Sequence, residues 1–131
     1  MNSSIRKHFT MRNLGFAILS VLLFSIGCTD IDDKVDTINI RINNSSSINF
    51  DEVQVASNEE LYTNIAPGDY SDYLVYETAY TYAFIEIKSG EEVFVLQPID
   101  FVGEDELPIG FYTYSLNINE EGEVVLQFIV D

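Results

Sequence analysis

The stretch Ile87–Leu96, "IKSGEEVFVL", constrains the fold more than any other. Two runs of alternating apolar and polar residues are separated only by Ser89-Gly90. A two-residue connection between strands needs positive φ, which glycine adopts without steric cost, so the segment reads as a β-hairpin. The same period of two recurs along the chain. In "TINIRIN", Ile38, Ile40 and Ile42 fall on one side and Asn39, Arg41 and Asn43 on the other. "FDEVQVAS" turns Val53 and Val55 inward, and "NEELYTNI" reads as a short strand. "DYLVYETAYTYAFIEIK" is rich in tyrosine and β-branched residues and divides near Glu77–Ala79, with Ala83, Ile85 and Ile87 on one face of its second half. "FYTYSLNI" groups Tyr112, Tyr114, Leu116 and Ile118, and "VVLQFIVD" groups Val124, Leu126, Phe128 and Val130.

Turn-formers lie between these runs: "NNSSS", Pro67-Gly68 in "APGDY", the long "QPIDFVGEDELPIG" connection, and "NEEGE". The pattern predicts an all-β domain, a small immunoglobulin-like antiparallel β-sandwich of seven to eight strands. A closed barrel around a ligand cavity is the alternative. In the long connection, Ile99, Phe101 and Val102 are too apolar to stand in water, and some of them are expected to plug one end of the sandwich.

The first 27 residues differ in kind. Arg6, Lys7 and Arg12 precede the uncharged run Leu14–Gly27, "LGFAILSVLLFSIG", which ends in small residues. A basic region, an apolar region and a small-residue end describe an export signal. A membrane-spanning helix needs roughly 20 apolar residues, and this run has 14. "FSIGC" resembles the lipobox of a bacterial lipoprotein, which implies cleavage between Gly27 and Cys28 and attachment of lipid to the Cys28 thiol. Two or three acyl chains make such an anchor stable. The expected organisation is therefore a lipoprotein signal peptide at 1–27, a lipidated acidic tether at 28–36, and a β-domain at 37–131.

All 22 acidic residues follow Cys28, whereas only Lys34, Arg41 and Lys88 of the six basic ones do, leaving a net charge of −19. With no basic patch to neutralise phosphates, nucleic-acid binding is excluded as an expectation. The only histidine, His8, lies in the signal, and Cys28 is the only cysteine. The remaining chain holds no imidazole base, no free thiol and no His/Cys zinc set, so neither a catalytic role nor a cofactor is expected. Calcium is the one metal these residues can address, through Asp100, Glu104, Asp105 and Glu106, although their spacing is not that of an EF-hand loop. Tyr70, Tyr73, Tyr76, Tyr80 and Tyr82 crowd into thirteen residues. They read either as half-buried strand packing with hydroxyls at water or as an aromatic binding face.

Three stretches, "GCTDIDD", "YETAYTYAFIEI" and "LQPIDFVGEDELPIGFYTYSLNI", together resemble small tyrosine-rich lipoproteins of the Bacteroidota, of flavobacterial type. That group carries no assigned activity and transfers no catalytic residue. The resemblance implies residence at the outer membrane, and Asp30, Asp32 and Asp33 look like a signal for display on the cell surface. The sequence thus points to a lipid-anchored, non-catalytic module that binds another protein, or else to a lipocalin-like carrier of a small apolar ligand.

Overall fold

The computed structural model describes residues 36–99 and 104–131. The expectations for the signal, Gly27 and Cys28, for Asp30, Asp32 and Asp33, and for Asp100, Phe101 and Val102 lie outside the described residues. Eight strands are present among the described residues: β1 (Ile38–Asn44), β2 (Phe50–Val55), β3 (Tyr62–Ile65), β4 (Leu74–Tyr76), β5 (Ile85–Ser89), β6 (Glu92–Leu96), β7 (Gly110–Ile118) and β8 (Val124–Val130). They form two four-stranded sheets, ordered β4-β1-β7-β8 and β3-β2-β5-β6. The chain is an all-β sandwich. Its pairing is antiparallel throughout except between β1 and β7, which run parallel from Ile38↔Gly110 to Asn44↔Leu116.

Alternation decides which residues meet between the sheets. Ile40 and Ile42 from β1, Val53 and Val55 from β2, Ile85 and Ile87 from β5, and Tyr114 and Leu116 from β7 form one continuous core with Phe50, Tyr62 and Ile65. Each such side chain stabilises the fold by roughly 1.5–3 kcal/mol when fully buried. Polar clasps join the layers at their margins. The Tyr62 hydroxyl donates to the Ile40 carbonyl at 2.8 Å and lies 2.9 Å from the Tyr76 hydroxyl, linking β3 to β1 and β4. The Tyr114 hydroxyl donates to the Tyr80 carbonyl. Asn44, with no exposed surface, donates its amide to the Ile48 and Ile65 carbonyls and accepts from the Ser46 amide and hydroxyl.

Three details depart from the sequence reading. Ser89 pairs with Glu92, so the hairpin turns on Gly90-Glu91, one residue later than expected. Gly90 takes the positive φ of 59° at the first central position, as a type II′ turn requires, and its N–H donates to Asp51 Oδ2 at 2.6 Å. The break between β4 and β5 spans residues 77–84, longer than Glu77–Ala79, because the chain there crosses from one sheet to the other. Ile99 is 99% exposed and plugs nothing. Leu107 packs against the core instead, held by its N–H to the Ala79 carbonyl at 2.8 Å.

Candidate functional site

The two sheets differ in charge. The strands β4, β1, β7 and β8 contain a single charged residue, Arg41, whereas β2, β5 and β6 contain Asp51, Glu52, Glu86, Lys88 and Glu92. In a chain this acidic, four adjacent strands without an acidic residue are the main electrostatic feature of the fold.

Arg41 is the only arginine after Cys28, and the period of β1 puts it on the outer face of its sheet. Its guanidinium carbon stands 4.4 Å from the Tyr70 ring centre and 5.0 Å from that of Tyr73, within cation–π range. Arg41 Nε donates to Thr113 Oγ1 at 3.0 Å, and Nη2 lies 3.4 Å from Asp131 Oδ1. The Thr113 hydroxyl lies 2.8 Å from both Asp131 carboxylate oxygens, and the Tyr73 hydroxyl donates to Oδ2 at 2.8 Å. Tyr73 in turn meets Phe111 edge-on at 5.1 Å.

This network has electrostatic consequences. Burial alone would raise the Asp131 carboxyl. The hydrogen bonds from Thr113 and Tyr73 and the charge of Arg41 outweigh it and hold the group below its ordinary value. Burial, reinforced by Asp131, pushes the Tyr73 phenol up. Val75, Val125 and Ile129 stand exposed in the same sheet. The outer face therefore presents aromatic and β-branched side chains around a cation already neutralised by its own carboxylate.

The five clustered tyrosines do not share one face. Tyr70 and Tyr73 flank Arg41, with Tyr70 55% exposed. Tyr76 is buried in the core, and desolvation raises its phenol. Tyr80 is half-buried in the 77–84 loop and receives the Tyr114 hydroxyl at its carbonyl; Tyr82 is half-buried in the same loop. Burial also raises the phenols of Tyr62 and Tyr114, so these groups remain protonated hydrogen-bond donors. Of the proposed calcium ligands, Glu104, Asp105 and Glu106 are exposed. Among the described residues no group of three or more His, Cys, Asp or Glu side chains is placed to hold a metal ion.

The sequence reading missed Thr113, Phe111 and Asp131 as members of the Arg41 cluster. Their only signal was strand parity, which puts Phe111 and Thr113 on the face of β7 opposite Tyr112 and Tyr114. A cavity of about 220 Å³ opens at one end of the sandwich, lined by Tyr76, Tyr80, Tyr114, Val55, Ala79 and Ala83 among others.

No family model and no curated protein matches the chain. Among solved structures it is similar to the NMR structure of a protein from Eubacterium rectale, at 15% identity and a TM-score of 0.47, with 79% of this chain and 94% of that one covered.

Proposed function

We propose that this chain is a lipid-anchored, extracytoplasmic, non-catalytic module of the outer membrane that binds another protein through the outer face of the β4-β1-β7-β8 sheet. The observation that carries this reading is the near absence of charge from that sheet in a chain whose residues after Cys28 carry a net charge of −19. Interface centres are depleted of charged residues and enriched in tyrosine, phenylalanine and arginine. The Arg41–Tyr70–Tyr73–Phe111 cluster has that composition, and its internal hydrogen bonds fix the side chains before a partner arrives, which lowers the entropic cost of association.

A carrier of a small apolar ligand is the less supported reading. Drug-sized ligands occupy mainly apolar pockets of about 300–1,000 Å³, whereas the centre between the sheets is filled by isoleucine, valine and tyrosine side chains, the apolar end cavity measures about 220 Å³, and the larger recesses, of about 310, 510 and 640 Å³, are open clefts with substantially polar linings. Anchoring through Cys28 and outward display through Asp30, Asp32 and Asp33 complete the proposal.

The test is photo-crosslinking in intact cells, with the reactive side chain placed at Val75 on the outer face of β4 or at Gln54 in the opposite sheet. A discrete adduct from Val75 and none from Gln54 is expected. Equal labelling from both positions, or none from either, would refute the assignment of the face. Protease added outside the same cells checks display: a chain cut only after the outer membrane is opened faces the periplasm.

A further inference from the structure

Among the described residues a sandwich of this topology leaves four edges open: β3, β4, β6 and β8. Natural proteins blunt such edges by shortness, charge, proline or irregular backbone, because an unpaired row of N–H and C=O groups recruits other strands. Three edges here are blunted. β4 has three residues, β3 has four and includes Asn64 at φ 51°, and β6 begins with Glu92. β8 has none of these devices. It runs for seven residues, "VVLQFIV", without charge, proline or glycine, and pairs with β7 in unbroken register from Tyr112↔Val130 to Ile118↔Val124.

The sequence of β8 is also close to a palindrome about Gln127. Reversed on itself, it sets Leu126 against Phe128, Val125 against Ile129 and Val124 against Val130. Every rung then joins two apolar residues, except the central one, where glutamine meets glutamine. Apolar and β-branched cross-strand pairs of this kind are those that stabilise antiparallel ladders. The same operation on β6 sets Glu92 against Leu96.

Backbone polarity agrees. The Asp131 N–H donates to the Phe111 carbonyl at 3.1 Å, so the odd-numbered residues of β8 direct their backbone bonds to β7. Val124, Leu126, Phe128 and Val130 consequently turn N–H and C=O to the open edge. We infer that β8 is where two copies of this chain pair, antiparallel about a two-fold axis at Gln127, joining their β4-β1-β7-β8 sheets into one eight-stranded sheet. Leu126 and Phe128 exchange backbone hydrogen bonds across the axis, and Gln127 faces its own copy in a non-hydrogen-bonded pair. Parity is preserved by the two-fold, so side chains on the core side of one sheet continue onto the core side of the other. Just beyond the ladder, Glu123 of one copy approaches Asp131 of the other. The excess negative charge of both copies opposes the pairing and makes it stronger as salt screens it.

The test uses the full chain in detergent. Opposed Cα atoms in a non-hydrogen-bonded antiparallel pair are about 4.5 Å apart, inside the range a disulfide spans. Gln127→Cys is expected to give a disulfide-linked dimer on mild oxidation. Val125→Cys is not, because its own copy lies four residues along the ladder, about 13 Å away. In sedimentation, Gln127→Lys is expected to weaken dimerisation by at least about tenfold through like charge at the axis, with its unfolding transition unchanged at dilutions where both chains are monomeric, because Gln127 is exposed. The parent dimer is expected to tighten as salt is raised. Equal cross-linking at positions 125 and 127, or a parent chain that stays monomeric at all salt concentrations, would overturn the inference. A disulfide from Gln127→Cys to Cys28 of the same chain, or to a different protein, would equally overturn it by naming another occupant of the edge.

Discussion

Replacing Asn44 with alanine removes a side chain that closes one end of the sandwich. The asparagine is fully buried and makes four hydrogen bonds: its amide donates to the Ile48 and Ile65 carbonyls at 2.8 Å each, and its oxygen accepts from the Ser46 N–H at 2.9 Å and the Ser46 hydroxyl at 2.7 Å. The bond to Ile65 is itself buried, so water cannot readily replace it. A net worth of about 0.5–1.5 kcal/mol per bond, with the added cost of a carbonyl left short of a donor, gives a loss of about 3 kcal/mol. For a domain of this size that corresponds to a fall in Tm of about 15 °C. The chain has eight tyrosines and no tryptophan, so unfolding in urea followed by tyrosine fluorescence reads the change directly. Asn44→Asp adds a second arm. The carboxylate would face two carbonyl oxygens in the same space, and its folded pKa would rise above the unfolded value. A raised pKa means the folded state binds the proton more tightly, so the variant is least destabilised below about pH 4 and loses stability as pH rises above it. An Asn44→Ala transition within about 1 kcal/mol of the parent would refute the reasoning by showing that the end of the sandwich is open to water. An Asn44→Asp variant with the parent's pH profile would do the same.

Three further outcomes are expected. Tyr62→Phe removes the hydroxyl shared by the Ile40 carbonyl and Tyr76 and should lower stability in the same urea assay by about 1–3 kcal/mol. Asp131, whose carboxyl is held below its ordinary value of 3.8, contributes stability that is complete above that value and is lost as pH falls through the lower folded one. Asp131→Asn should therefore flatten the acid limb of the stability curve below about pH 4, and an unaltered limb would count against the Arg41 network. Ile99→Ser should leave stability within about 0.5 kcal/mol of the parent, since Ile99 is 99% exposed.

Strand existence and facing were legible because one buried face imposes a strict period of two. Ile38, Ile40 and Ile42, Val53 and Val55, and Ile85 and Ile87 are all buried as their spacing predicts. Partner choice was not legible. Nothing local to "TINIRIN" or "FYTYSLNI" encodes a parallel pair across 72 residues of sequence separation, because that register depends on the whole stack of sheets. The tyrosines show the same boundary. Closeness in sequence allowed either strand packing or one aromatic face, and the fold divides the group: β4 ends at Tyr76 and the chain then changes sheets, so Tyr70 and Tyr73 remain outside with Arg41 while Tyr76 turns into the core. At Ile99, the described one of the three apolar residues in the "PIDFVGE" segment, the boundary is the same. Hydrophobicity marks a residue as suited to burial, and Leu107 rather than Ile99 is the side chain the connection brings to the core.

Charge ties the two proposed surfaces together. The net charge of −19 carried by the residues after Cys28 opposes close approach of any two copies, and repulsion is greatest where acids face one another. The β2, β5 and β6 strands and the exposed Glu104–Glu106 segment enforce that over much of the domain. The strands of the β4-β1-β7-β8 sheet escape it, for none of them holds an acid, and along β8 it returns only at the two ends, at Glu123 and Asp131. The acids thus direct association as well as solubility, leaving one layer on which contact costs little electrostatically. The face and the edge remain separable. Val75 lies on the β4 side of the sheet and Gln127 on the opposite edge strand, with β1 and β7 between them. A Gln127→Lys chain should therefore lose self-pairing yet keep the adduct formed from Val75. Loss of both together would mean that the partner recognises only the joined eight-stranded sheet.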